Sequence, residues 1–399
     1  MLNPLKFFKR SASITSTDQL LNLLSTTHET ASGSVVSSDT AQNLPAVYCA
    51  VNTISEAIAS MPVHVYKKNE SGDKERQRSN VLERLLNISP NGYQTAFDFK
   101  VALMRSALLT GNSYAEIIYD NAGRVQKIIP LHPNEVTVKE LPNYRLGYHV
   151  TRKGKYRSLQ QEEMLHIRVN SDDGIIGKSP ITVCRESLGA EMATQEHGSS
   201  LFKNKCAPSG VFTWPNKMSA ETMRTTLDYI TKNYTGNKNS GKPLIMTEGG
   251  EFTNLTMSNH DAEWLESKKF GIAEIARMFK ISPIFLQDYS NSTYSNFAEA
   301  SKAFLQQTLK PWLTNIEASL LMNLIPDRAQ STTSIQFETK DIMRTTARER
   351  FELYDIAIRN GLMNPNQCRR AENMEPREGG DQYSQSWLQQ AKAAEPTQD

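Results

Sequence analysis

A chain of 399 residues can bury a large core spread over two or three domains. Its 45 Lys and Arg against 43 Asp and Glu give a formal net charge of +2, which argues against a tight, broad grip on nucleic acid but not against a passage that lets the polymer slide. No apolar run approaches the length of a membrane span, Leu5-Lys6-Phe7-Phe8-Lys9-Arg10 lacks the apolar stretch of a secretory signal, and Cys49, Cys184, Cys206 and Cys368 form no CxxC pair or disulfide framework and suit a reducing cytosol.

Residues 1–43 are rich in Ser and Thr and read as a mobile arm, with Leu20 to Leu24 as one short apolar run that could dock. Order is expected from Pro45. Val47, Val51, Ile54, Ile58 and Met61 share one helical face, and Pro62 closes that helix ahead of a strand at Val63 to Tyr66. Asn69 to Arg78 reads as a charged turn and Val81 to Leu86 as a short helix stopped before Pro90. Thr95 to Leu109 reads as a longer helix, opened by Thr95 and Asp98 at capping-box spacing and ended by Gly111-Asn112. Short strands follow at Ser113 to Tyr119, Val125 to Ile129, Val136 to Lys139, Tyr144 to Val150 and Met164 to Val169, with Asp120-Asn121-Ala122-Gly123 as a turn. They are too short and too closely spaced for βαβ crossovers, so this part of the chain is expected to form a small α+β domain with antiparallel hairpins.

Ser179-Pro180 supplies a cap and a first-turn proline for a helix to about Lys203, and Cys206 to Lys217 reads as irregular. Ser219 caps a shorter helix through Ile230, and Tyr234 to Pro243 is rich in Gly, Asn and Lys. Leu244 to Thr247 and Glu251 to Leu255 suggest a hairpin around Gly249-Gly250. Two helices then flank one loop. The first, Asn259 to Lys280, carries Trp264, Leu265, Ile272, Ile275 and Phe279 and ends at Ser282-Pro283. The second, Asn296 to Leu324, repeats Phe304, Leu305, Leu309, Trp312, Leu313, Ile316, Leu320, Leu321 and Leu324 three or four apart. Such a helix would be about 45 Å long, with Pro311 expected to bend it. Beyond Pro326 come a strand at Thr333 to Glu338 and a helix at Arg344 to Arg359 with Ala347, Phe351, Tyr354 and Ile358 on one face. Gly361 stops that helix, Asn364-Pro365 starts another, and a loose tail follows Gly379-Gly380.

The stretch that most invites chemistry is Gly174-Ile175-Ile176-Gly177-Lys178-Ser179, after a strand and before a helix. A phosphate cradle of the GxxxxGK[ST] type needs a glycine where Asp172 stands, and Asp172 and Asp173 would repel phosphate. Pro180 also removes a backbone N–H where such a loop points donors. Gly249-Gly250-Glu251-Phe252 spells the GGEF of diguanylate cyclases without the domain around it, and reads as a turn. The seven histidines form no HExxH or zinc-finger spacing. No catalytic, cofactor-binding or metal residue is therefore expected.

Several ordered pieces nevertheless carry a resemblance: Asn52-Thr53-Ile54 through Met61-Pro62-Val63, Gly111-Asn112-Ser113-Tyr114-Ala115, Pro130-Leu131-His132-Pro133, and His166-Ile167-Arg168 with Asp173 to Ile181. The longest is Leu265 to Phe270 with Glu274 to Phe279, continued by Pro283, Asp288, Thr293-Tyr294-Ser295-Asn296 and Pro311-Trp312-Leu313. In order and spacing the chain, from Pro45 to Gly380, resembles the portal proteins of tailed bacteriophages of the HK97-like family. The resemblance implies a portal fold with wing (44–217), first stem helix (218–235), clip (236–258), second stem helix (259–280), tunnel loop (281–295), long channel-side helix (296–325), C-terminal wing and crown (326–380) and a flexible tail (381–399). It further implies a ring, usually of twelve subunits, at one capsid vertex of a virion assembled in the bacterial cytoplasm. Its implied partners are capsid and scaffold proteins, the large terminase subunit, head-tail connectors, and duplex DNA passing without sequence specificity.

Within that layout Gln287, Asp288, Tyr289, Ser290, Asn291, Ser292 and Thr293 are candidates to line the channel, since residues 281–295 contain no Lys or Arg to hold phosphate. Asp288 could repel the DNA backbone or cap a local turn. Lys238 and Lys242 are candidates to dock the packaging motor. Two other classes compete: a nucleotide-binding enzyme using Gly174 to Ser179, and a monomeric or dimeric DNA-binding adaptor.

Overall fold

The computed structural model describes residues 30–204, 210–213, 219–234, 251–254, 260–289, 294–339 and 347–384. Its helices are α1 (Pro45–Ser60), α2 (Val81–Asn87), α3 (Ala96–Thr110), α4 (Arg185–Asn204), α5 (Ala220–Tyr234), α6 (His260–Phe279), α7 (Tyr294–Ala303), α8 (Lys310–Leu324), α9 (Ala347–Arg359) and α10 (Pro365–Ala371). Its strands are β1 (Val63–Lys68), β2 (Lys74–Arg76), β3 (Asn112–Tyr119), β4 (Val125–Leu131), β5 (Val136–Glu140), β6 (Leu146–Arg152), β7 (Lys155–Leu159), β8 (Met164–Arg168), β9 (Gly210–Thr213), β10 (Glu251–Asn254) and β11 (Thr333–Phe337). The chain divides into two compact units. The first gathers the chain up to Ser55, Val101–Ile117 and Ile129–Ala300; the second gathers Glu56–Lys100, Ile118–Ile128 and the chain from Ser301 onward.

In the first unit β5, β6 and β7 form an antiparallel meander, and β3 pairs antiparallel with β8. Tyr114, Leu131 at the end of β4, Leu146, Tyr148, Val150, Leu159 and Met164 close one apolar cluster, because alternate residues of a strand share a face. β7 and β2 were not foreseen. Both are polar on both faces, with only Leu159 buried in β7 and nothing in β2, so neither shows an apolar alternation. The expected single helix from Ser179 is two pieces, a turn at Pro180–Val183 and then α4, with Cys184 between them outside helical geometry. β9 falls in a stretch expected to be irregular, and it pairs antiparallel with β10. The segment expected to pair with β10, Leu244 to Thr247, lies outside the described residues.

Order also starts earlier than Pro45. Thr30 is buried against Gly189 of α4, where an added Cβ would lie 2.4 Å from the Thr30 Oγ1. Ala31 N–H donates to Glu186 at 3.0 Å and the Ser38 hydroxyl to the Leu109 carbonyl at 3.1 Å. The expected mobile arm is thus anchored from Thr30 onward. A second mid-helix glycine, Gly271 of α6, leaves room for the Glu191 carboxylate of α4. Burial raises the pKa of that carboxyl, and Lys268 at 3.7 Å offsets only part of the cost.

In the second unit β1 is the middle strand of a sheet ordered β11-β1-β2. The register sets Val63 opposite Phe337 and Val65 opposite Ile335, four buried side chains on one face. α8 packs against β11 with Leu313, Ile316, Leu320 and Leu324 buried, each stabilising by roughly 2 kcal/mol on full burial. Trp312 and Leu321, expected in the same stripe, are half-buried. Pro311 is met by a π-helical turn at Phe304–Leu309 that joins α7 to α8, closed by the Lys310 N–H on the Leu305 carbonyl. A proline cannot donate to the carbonyl four residues back, and a wider turn is one way for the backbone to absorb that loss.

Glu83 of α2 is buried in the same unit. Arg76 grips it at 3.1 and 2.9 Å, the Val65 N–H donates at 3.1 Å, and His64 Nδ1 lies 3.3 Å away. Burial alone would raise its pKa; these partners outweigh burial and hold it below the ordinary carboxylate value. On α9 the expected face is only partly covered, since Tyr354 and Ile358 are half-buried and Phe351 is 51% exposed.

Candidate channel loop and the phosphate-like loop

The loop between β8 and the Pro180–Val183 turn is closed by its own groups. The Asp173 carboxylate accepts from the Ile175 N–H at 2.7 Å, the Ile176 N–H at 3.0 Å and the Ser171 hydroxyl at 3.0 Å. Those N–H groups, Ile175 foremost, hold its pKa down to about 2. The Gly177 N–H donates to Asn112 Oδ1 at 2.8 Å and the Lys178 N–H to the Val169 carbonyl at 3.0 Å. Lys178 Nζ pairs with Asp172. The N–H groups of residues 175–178 and the Lys178 ammonium, which a phosphate would need, are therefore already engaged within the fold.

Asn112 is the centre of this clasp. Its Nδ2 donates to the Gly177 carbonyl at 2.8 Å and to the Thr110 carbonyl at 3.2 Å, while its Oδ1 also takes His166 Nε2 at 3.1 Å. An amide oxygen only accepts, so His166 carries its proton on Nε2 and accepts from the Tyr148 hydroxyl at 3.3 Å on Nδ1. Burial drives the His166 pKa down to about 3 and raises that of Tyr148 to about 12, so both stay neutral. Tyr114 lies over the His166 ring at 4.4 Å. The two backbones touch because both positions are glycine: a Cβ on Gly177 would lie 2.0 Å from the Gly111 carbonyl oxygen. In sequence Gly111-Asn112 looks like a helix stop and no more; a second glycine ahead of Lys178-Ser179-Pro180 is the signal of its further role.

The candidate channel loop is built differently. α6 ends with Lys280 in the left-handed region (φ 54°), its N–H on the Arg277 carbonyl and the Ile281 N–H on the Ala276 carbonyl, a Schellman ending with lysine in place of glycine. Ser282 is extended, Pro283 takes the first helical position, and Pro283–Leu286 form one 3-10 turn. Ile281, Ile284 and Leu286 are buried, and Cys49 Sγ of α1 lies 3.5 Å from the Phe285 carbonyl. Gln287 turns left-handed (φ 65°), and the chain emerges: Gln287 and Tyr289 are exposed, joined by the Tyr289 hydroxyl on Gln287 Oε1 at 2.7 Å, and Asp288 is half-buried with its N–H on the Pro283 carbonyl. That last bond closes a local turn through the Asp288 backbone. Ser290, Asn291, Ser292 and Thr293, like Lys238 and Lys242, lie outside the described residues.

Among the described residues no group of three or more His, Cys, Asp and Glu could hold a metal ion, and no helix is long and apolar enough to cross a membrane.

Residues 45–373 match the phage portal protein family. The portal protein of Enterobacteria phage HK97 is 28% identical over 338 residues, covering 84% of this chain and 80% of that protein. The probable portal protein of Streptomyces phage phiC31 is 30% identical over 357 residues, covering 87% of this chain and 78% of its own length. Among solved structures, a chain from the virion of a native gene transfer agent particle aligns with a TM-score of 0.64 at 21% identity, covering 90% of this chain and 99% of that one. A chain from the neck of that particle, computed with C12 symmetry, aligns at 0.62 and 22% identity over 90% and 94%. An HK97-family portal protein from Corynebacterium diphtheriae aligns at 0.53 and 16% identity over 76% and 96%. The chain belongs to the HK97-like family of phage portal proteins.

Proposed function

We propose that this chain is the portal subunit of a phage or phage-like particle, assembling as a closed ring, of twelve copies as in the C12 neck, at one capsid vertex. Duplex DNA enters and leaves through its channel. The observation that carries this reading is the family match across residues 45–373. Composition supports it: a formal net charge of +2 leaves a passage that does not hold DNA, because every phosphate gripped adds salt-dependent affinity. Exposed apolar side chains support it too, with Met223 and Tyr229 on α5 and Phe351, Leu353 and Ile356 on α9 each more than half exposed in the single chain. Burial between neighbouring subunits would remove that area from water.

In the finer reading, Gln287, Asp288 and Tyr289 with Ser290 to Thr293 line the narrowest part of the channel, touching phosphate through neutral groups that let go. The clip around Lys238 and Lys242 docks the large terminase subunit and later the head-tail connectors. Capsid and scaffold proteins surround the ring as it assembles in the bacterial cytoplasm. Light scattering and negative-stain images of the pure protein test the ring. A closed particle with a central hole is expected; a monomer or dimer persisting across salt concentrations and in the presence of scaffold protein would refute it.

A further inference from the structure

We propose that the β6–β7 hairpin is a contact for the phosphate backbone of duplex DNA, built from residues other than the candidate channel loop. The proposal rests on the portal reading for the presence of DNA as a partner.

Residues 151–157 read Thr-Arg-Lys-Gly-Lys-Tyr-Arg, a dense run of cations in a chain that is otherwise close to neutral. The turn is a two-residue one with Lys153 (φ 50°) and Gly154 (φ 75°) both left-handed, the geometry that keeps a twisted two-stranded ribbon straight to its tip. The register sets Arg152 directly opposite Lys155. Like charges facing each other across a ladder are destabilising, and a local rule broken without a packing gain points to a partner outside the fold.

Two of the four cations are already engaged. Arg157 forms a bidentate pair with Glu116 at 2.7 and 2.8 Å, and Arg152 Nε lies 3.7 Å from Glu135. Lys153 and Lys155 are exposed and take no ion-pair partner among the described residues. Within the three strands the one acid, Glu140, sits at the other end, paired in register with Leu146. Lys153 and Lys155 thus sit at the end of the meander opposite Glu140. Beside the lysines, Tyr156 is 64% exposed and stacks on His149 at 5.3 Å, its hydroxyl bonded to His149 Nδ1.

This chemistry favours phosphate over an acidic protein surface. Carboxylates are matched best by the planar fork of arginine, and both arginines here are paired internally. The groups left over are lysines, which are depleted at protein interfaces yet serve well as point charges on a phosphate backbone. A two-stranded ribbon is also narrow enough to follow a groove of duplex DNA.

Fluorescence anisotropy of a labelled 30-bp duplex with the full-length protein, from 50 to 200 mM salt, tests the proposal against Lys153→Asn/Lys155→Gln. Asparagine is chosen at position 153 because it tolerates the left-handed turn. The double variant should lower the slope of log affinity against log salt by about 2, roughly one unit per lysine, equally on two duplexes of unrelated sequence. Unfolding and light scattering should match the native chain, and deleting Ser290 to Thr293 should leave that slope difference in place. An unchanged slope in a folded variant overturns the proposal, as does displacement of the DNA by polyglutamate with loss of polyglutamate binding in the variant, which would assign the hairpin to an acidic protein. Failure of the native chain to form rings would count against the portal reading, whereas the slope difference judges the hairpin alone.

Discussion

The loop at 170–179 and the segment at 281–289 both lead through a Ser-Pro step into a helical turn, and they use their polar groups in opposite ways. Ser179 accepts the Thr182 N–H at 3.3 Å and donates to the Leu109 carbonyl at 2.6 Å, while Ser282 makes no side-chain cap bond. In the first loop Asp173 and Asn112 take up the backbone N–H groups of residues 175, 176 and 177. In the second, apolar side chains hold the base and polar ones stand exposed beyond it. The loop that looks like chemistry in the sequence is a clasp between two backbones. The segment with no chemical motif is the one that presents side chains. What separates them is where each donor is satisfied, and a motif does not state that.

The strongest way to break this comparison is Gly177→Ala. The new Cβ would meet the Gly111 and Val169 backbone at 2.0 to 2.8 Å, which no rotamer change can relieve. We expect a loss of about 3 kcal/mol or more in urea unfolding; a loss below about 1 kcal/mol would show that the clasp is loose.

The pH dependence comes next in size. His166 titrates near 6.5 when unfolded and at about 3 when folded, so below pH 6.5 the unfolded chain binds the extra proton. Its contribution is complete above pH 6.5 and is lost as pH falls towards 3, about 2 kcal/mol of it by pH 5. His166→Gln should flatten that limb between pH 7.5 and 5; an identical limb in the variant would assign it to other groups.

How much of this was legible follows from where each element finds its partners. The α8 stripe was readable because apolar residues recur three and four apart over many turns, and α3 because Thr95 does cap it, its hydroxyl accepting the Asp98 N–H at 3.1 Å and donating to the Asp98 carboxylate at 2.7 Å rather than completing the reciprocal box. Gly361 ends α9 as expected, with the Leu362 N–H reaching back to Ala357. The end of α6 uses the same geometry with Lys280, so no glycine announces it. β2 and β7 have no apolar face to betray them. β9 meets its partner about forty residues later, and the Thr30 segment docks through a hydroxyl on Gly189, neither of which leaves a periodic trace. At the candidate site, polar composition anticipated the exposure of Gln287 and Tyr289, but not that Ile281, Ile284 and Leu286 anchor the segment beneath them.

The smallest expected effect sharpens the contrast from the other side. Tyr289 is 58% exposed and its hydroxyl donates to Gln287, two residues back. Tyr289→Ala should change stability by no more than about 0.5 kcal/mol. A loss several times larger would mean that this segment, too, is part of the fold's internal bonding.

The channel assignment is tested most directly in filled particles. A photo-activatable cross-linker placed on a cysteine at Asn291, in heads that have packaged their DNA, should capture DNA strongly. The same probe at Tyr144, which is 90% exposed in the turn before β6, should capture far less. Capture at Asn291 places residues 281–295 against the passing duplex, as proposed. No capture there, with strong capture at Tyr144, would contradict the channel layout and move the DNA path to another face of the subunit.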